Sequence, residues 1–161
     1  MRKAKGFSLI ELLIVVAIIL VIAAIAIPNL LRSKMAANEA SAVNSLRTLT
    51  TAETTYAQTY PDVGYTCTLT DLGPPSGGGA LSSAGAGIID SVLASGAKAG
   101  YSFAITNCSG ASLKVTYTTT AAPQNIGGTG SRAFCSDASG VLRYSADGVP
   151  ATCIASGSVL Q

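Results

Sequence analysis

Residues 1–28 read MRKAKGFSLIELLIVVAIILVIAAIAIP, and the rest of the chain is best understood from them outward. A basic leader carrying Arg2, Lys3 and Lys5 ends at Gly6, and Phe7 follows. From Leu12 to Pro28 there is no charge and no polar side chain. That run spans about 26 Å at ~1.5 Å per helical residue, and its flanks from Phe7 to Leu31 extend it to the thickness of a bilayer core. The exception is Glu11, at the start of the run. A lone carboxylate in a membrane helix costs about 2.5–3.5 kcal/mol at the bilayer centre and less near an end, so it asks for a partner. The stretch predicts an anchor that assembles with something.

Three readings compete for it. As a plain transmembrane anchor the segment is long enough. As a secretory signal it offers Ala24-Ile25-Ala26, a small-x-small cleavage site, although Glu11 interrupts the expected apolar core and Pro28 follows almost at once. The third reading uses more of the residues. Gly6-Phe7-Ser8-Leu9-Ile10-Glu11 followed by an apolar helix resembles the prepilin signature of type IV pilins and of the related pseudopilins of type II secretion. The resemblance implies a dedicated peptidase that cuts between Gly6 and Phe7, N-methylates Phe7 and leaves the helix in the product. Pro28 falls where that family commonly has a helix-loosening proline. Cleavage would create a positive amine on Phe7, four residues before Glu11 and so on one helix face with it. In a bundle of parallel helices, the resemblance implies that the amine of one subunit neutralises Glu11 of a neighbour and sets the axial register. The plainer alternative is a glutamate that snorkels to the headgroups.

Composition narrows the function classes. At 161 residues there is room for one domain and one anchor. Ten basic and eight acidic residues give a formal charge of +2; removing Arg2, Lys3 and Lys5 leaves a slight acidic excess, so no basic surface remains with which to grip nucleic acid. Before cleavage those three cations favour a cytoplasmic N-terminus, opposed only weakly by Arg32 and Lys34, with the rest of the chain facing outward. Cys67, Cys108, Cys135 and Cys153 all lie beyond the apolar run, an even number in an oxidising compartment. Four cysteines allow three pairings. Likeness to pilins that close a C-terminal loop favours Cys67–Cys108 with Cys135–Cys153. With no CxxC spacing and no histidine, neither a zinc site nor a hydrolytic constellation is expected. Asp137 and Asp147 are candidates for calcium, as in some pseudopilins, but Asp137-Ala138-Ser139-Gly140 lacks a dense acidic ladder and reads as a hairpin turn. Neither cofactor nor metal is expected, nor enzymatic activity. The run Thr118-Thr119-Thr120 is either a glycosylation surface or a solvated strand end.

The helix is expected to continue past Pro28. Met35, Ala42, Val43, Leu46, Leu49, Tyr56 and Tyr60 recur at helical intervals, with Arg32, Lys34, Asn38, Glu39, Asn44, Arg47 and Glu53 at polar positions. No glycine intervenes, and no proline follows Pro28 until Pro61. Phe7 to Tyr60 would be one helix roughly 80 Å long, loosened at Pro28, too long for a domain of this size to bury. Residues 61–99 read as loop with a short helix between Gly87 and Ser95. Strands follow: Tyr101, Phe103 and Ile105 alternate with Ser102, Ala104 and Thr106, and Leu113, Val115 and Tyr117 with Lys114, Thr116 and Thr118. Arg132–Ser136 and Val141–Ser145 read as a second hairpin.

The expected fold is therefore α+β, pilin-like: a long N-terminal helix with a hydrophobic first half, packed against an antiparallel sheet of about four strands. Its parts are a prepilin leader (1–6), a hydrophobic transmembrane and assembly helix (7–28), an amphipathic continuation (29–60) and a loop-rich β domain with two disulfides (61–161). The resemblance implies a homopolymer of identical subunits, handled by a prepilin peptidase and pilus assembly machinery. It sits in the inner membrane as a precursor and in an extracellular pilus or periplasmic pseudopilus once assembled. A membrane-tethered binding domain that never polymerises is the alternative of a different class.

Overall fold

The computed structural model describes residues 7–110 and 113–160, so the predicted leader and Gly6 lie outside the described residues. The chain divides into two compact units, Met1–Lys34 and Met35–Gln161. Helix α1 runs from Leu9 to Thr59 and continues through Pro28 without interruption. It begins two residues later than expected, so Phe7 precedes the helix and does not lie on its face. It stops where Tyr60 precedes Pro61, a position that disfavours helical backbone.

In the second unit α1 buries Ala42, Leu46, Leu49, Ala52 and Tyr56, a stripe spaced by three and four residues. These side chains form one core with Leu69, Leu72, Ile89 and Leu93 from the loop region, and with Tyr101, Phe103, Ile105, Tyr117, Ala121 and Phe134 from the sheet. The middle segment is more structured than a loop. Helix α2 (Leu69–Leu72) and helix α3 (Ser91–Ala94) flank a 3₁₀ turn at Ser76–Gly78. Asp90 caps α3 by accepting the Leu93 N–H at 2.9 Å, which starts the short helix within the expected Gly87–Ser95 span.

The sheet is antiparallel throughout and has six strands in sequential order, not about four: β1 (Ala97–Lys98), β2 (Tyr101–Ser109), β3 (Thr116–Pro123), β4 (Ala133–Asp137), β5 (Leu142–Ser145) and β6 (Ser158–Val159). The two extra strands are two-residue edges, too short to show alternation in the sequence. β2 alternates as read, with Tyr101, Phe103 and Ile105 inward. β3 does not. Leu113 and Val115 are exposed, and the inward residues are Tyr117, Thr119 and Ala121. The reason lies in the backbone of Lys114, between Leu113 and Val115. Lys114 donates its N–H to the Val63 carbonyl at 2.9 Å and accepts the Tyr65 N–H at 3.0 Å, so this stretch pairs with the turn after α1. Gly64 is required there: its φ is +77°, and a Cβ would sit 2.2 Å from the Lys114 carbonyl oxygen.

All of Ala133–Ser136 is buried, because β4 is covered on both faces. Phe134 faces the α1 core, and the alternate residue Cys135 is bonded to Cys153 on α4 (Pro150–Ser156), a helix absent from the sequence reading. Cys67 and Cys108 form the other disulfide, with Cα atoms 5.9 Å apart against 6.0 Å for Cys135–Cys153. Each such link typically contributes about 2–4 kcal/mol by restricting the unfolded chain.

Candidate assembly and processing site

Around the predicted cleavage point the described chain starts at Phe7, which is 75% exposed. Ser8 precedes α1 and donates its N–H to Glu11 Oε2 at 3.1 Å. Ser8-Leu9-Ile10-Glu11 is thus the S-x-x-E pattern of a capping box, with the glutamate reaching back to the helix start. This role was readable in the sequence and was missed. Beyond it the large apolar side chains from Leu9 to Leu31 are all exposed in the single chain. An 18-residue window of α1 has a mean hydropathy of 3.3 with none of it buried, long and apolar enough to cross a membrane by length and composition. Pro28 has no N–H to give, and next to it Asn29 donates its side-chain amide to the Ile25 carbonyl at 3.0 Å.

An exposed apolar helix headed by one carboxylate, behind a glycine, is the feature on which the comparisons bear. The profile of the prokaryotic N-terminal methylation motif matches residues 1–27. The N-terminal segment is homologous to type IV pilins. Over 39 residues it is 64% identical to the type IV wide pilus major component PilA4 of Thermus thermophilus, a match covering 24% of this chain and 30% of that protein. Over 54 residues it is 46% identical to the type IV major pilin protein PilA of Myxococcus xanthus, covering 34% of this chain and 24% of that one. The match thus spans less than a third of either pilin. No solved structure matches. The pilin-like architecture beyond the N-terminal segment, a long helix with an antiparallel sheet, is a property of the fold described above.

Two glutamates placed on the polar face of α1 turn out to be buried, and they behave oppositely. Glu39 accepts the Ser131 N–H at 2.9 Å, the Ser131 hydroxyl at 3.0 Å and the Arg132 N–H at 3.2 Å on one oxygen. Its other oxygen meets the Arg132 guanidinium at 2.7–2.8 Å. Burial pushes the carboxyl up, but these donors outweigh it and hold it below the usual range. The Arg132 guanidinium also lies over the rings of Phe134 and Tyr144, at 5.4 and 5.5 Å. Gly130 makes the turn possible, since a Cβ there would fall 2.1 Å from the Tyr101 hydroxyl, which itself donates to the Arg132 carbonyl. Glu39 is therefore the latch between α1 and the β3–β4 connection.

Glu53 is fully buried. Its Oε2 accepts the Thr66 N–H at 3.0 Å, and its Oε1 has no hydrogen-bond partner. Thr66 in turn donates its hydroxyl to Asp71 at 2.8 Å, beside the disulfide residue Cys67. Desolvation, opposed by the Thr66 N–H and reinforced by the Asp71 carboxylate, pushes Glu53 up to about 7. Burial next to Glu53 likewise pushes the Tyr117 hydroxyl up to about 12.

The native state therefore keeps a proton on Glu53 that the unfolded chain, with a value near 4.5, gives up. Stability from this group is greatest at acid pH, falls as pH rises from about 4.5 to about 7, and is level above that. The expected loss is on the order of 2–3 kcal/mol. Glu53→Gln should remove this slope, so that the fragment from Met35 onward melts higher than the wild type above pH ~7 and alike below pH ~4.5. Thermal melts across that range check it, and a wild-type profile flat through the window would refute it.

Asp137 and Asp147, the calcium candidates, spend their oxygens on their own turns. Asp137 accepts the Ser139 N–H and hydroxyl, and Asp147 accepts the Val149 N–H at 3.0 Å. Among the described residues no group of three or more His, Cys, Asp or Glu side chains is placed to hold a metal ion.

Proposed function

We propose that this chain is a non-enzymatic structural subunit of a type IV pilus-like extracellular filament, polymerising through α1. The observation that carries the proposal is the exposed, charge-free run from Leu12 to Pro28, headed by Glu11 inside a methylation motif and similar to two major pilus components. Such a surface has two stable environments, a bilayer or a bundle of like helices. In this reading the leader 1–6 holds the N-terminus in the cytoplasm, and residues 7–28 cross the inner membrane with the C-terminus outside. The amphipathic continuation (29–60) and residues 61–161 then form the outward domain, where an oxidising compartment closes its two disulfides. A prepilin peptidase cuts after Gly6 and methylates Phe7. Assembly machinery then passes the subunit to the filament, where the Phe7 amine meets Glu11 of a neighbour.

Mass spectrometry of filaments sheared from cells tests the reading. The expected subunit begins with N-methyl-Phe7, and replacing Gly6 by a bulky residue should leave uncleaved precursor in the inner membrane. A mature chain beginning at Ile27 would replace this reading with ordinary signal-peptide removal. A processed subunit found only with a secretion apparatus, and never in surface filaments, would make it a pseudopilin.

A further inference from the structure

The charges of the second unit are nearly all spent internally. Asp90 pairs with Lys98 at 3.1 Å, and Glu39 pairs with Arg132. Asp71 holds Thr66, Asp147 caps its own turn, and Asp137 is hydrogen-bonded to Ser139 and lies in the field of Arg143. Lys114 is engaged at the Gly110 carbonyl. Among the described residues of this unit, two exposed charged side chains remain with no hydrogen bond or ion pair: Arg47 on α1, and Asp62 in the turn that follows it. They are opposite in sign.

Their settings differ as well. Arg47 is the shared wall of two surface grooves. One, of about 340 Å³, is lined by Thr48, Thr51, Thr55 and Ile88. The other, of about 330 Å³, is lined by Val43, Asn44, Phe134 and Leu160 together with the paired Glu39 and Arg132. The three threonines of the first groove each donate their hydroxyls to carbonyls one turn back, at 3.0–3.1 Å. Their donors are thus already engaged, so the guanidinium is the free side-chain donor of the first groove and the charged one that the ridge offers. Asp62 stands on an exposed Pro61-Asp62 turn whose backbone is closed by Val63 and Gly64 N–H groups donating to Tyr60.

We infer that Arg47 and Asp62 are the two halves of one contact between copies of this chain, with the Asp62 turn of one subunit docking on the Arg47 ridge of the next. The two patches lie at different places on one molecule, about 18 Å apart along the axis from Arg47 to the end of α1. A contact between two different patches is head-to-tail. Unless its rotation closes a ring, it propagates as an open helical polymer. The inference rests on the filament reading above and adds to it a second contact, outside the apolar helix, that each subunit makes twice. A guanidinium and a carboxylate desolvated between subunits form paired N–H···O bonds, and that geometry supplies register.

The test uses the full chain in cells with its assembly machinery. Filaments are counted and sheared for quantification, and total subunit with its disulfides is followed on non-reducing gels. Arg47→Glu and Asp62→Arg should each lower filament yield at least tenfold with subunit level and disulfides unchanged, and the double exchange should recover most of it. Normal filaments from either single variant, or a double variant no better than the worse single one, would overturn the pairing. So would rescue of Arg47→Glu by Asp147→Arg in place of Asp62→Arg. If the wild type itself builds no filaments, the filament reading fails, and this contact with it.

Discussion

Glu11→Leu is expected to abolish filaments, or reduce them sharply, while cleavage after Gly6 and membrane insertion continue. Three effects compete. The substitution makes the anchor more hydrophobic, which favours insertion. It removes the carboxylate that receives the Ser8 N–H at 3.1 Å, and a lost helix cap costs about 1 kcal/mol, too little to prevent folding or assembly. In a filament it would also strip the partner from a neighbour's Phe7 amine inside an apolar bundle. Breaking a buried pair in that way costs about 3–5 kcal/mol, repeated at every subunit, and this effect dominates. Glu11→Gln retains an acceptor without the charge and should give an intermediate yield. Electron microscopy and sheared-filament quantification, beside N-terminal sequencing of the membrane fraction, separate assembly from processing. Leucine-variant filaments of normal number and length would refute the pairing. A tethered domain, by contrast, would tolerate the leucine with no change in behaviour.

Glu39→Ala should destabilise the domain from Met35 onward by about 2–4 kcal/mol, lowering its melting temperature by roughly 10 °C. The carboxylate serves four donors from Ser131 and Arg132, and alanine leaves the backbone pair facing a void. The Arg132 side chain is 41% exposed and can return to water, which keeps the cost below that of a fully buried pair. Since the Glu39 carboxyl sits below its unfolded value, its contribution is present above pH ~4.5 and disappears as pH falls through the folded value. The difference between wild type and Glu39→Ala should accordingly shrink in acid. A variant that melts within a degree or two of wild type near neutral pH would show that the latch carries no weight.

These two glutamates mark the boundary between what was legible and what was not. Glu11 could be read because its significance is local: one charge against an uninterrupted apolar run. Glu39 could not. In helical periodicity it counts as a polar position, and only the return of residues 131–132, some ninety residues later, makes it a buried anchor. The same holds for Glu53, whose neighbours Thr66, Asp71 and Tyr117 come from separate segments. The edge strands β1 and β6 and helix α4 are too short to leave a periodic trace. Leu113 and Val115 carried a strand-like alternation that was misleading, because the backbone of Lys114 between them pairs with the turn at Gly64.

The sequence by itself determined the α1 helix, the membrane-length apolar run, the methylation motif and the inward face of β2. The motif follows from resemblance to the prepilin signature, and the others follow from composition and spacing within a few turns or residues, where backbone geometry repeats. The tertiary structure alone decided which of three cysteine pairings occurs, how many strands the sheet has, and which carboxylates of α1 are buried. It also decided that Arg47 and Asp62 are the two exposed charges left without a partner among the described residues of the second unit. Those outcomes depend on contacts between residues far apart in the chain, and no local pattern encodes the partner that a side chain meets only after folding.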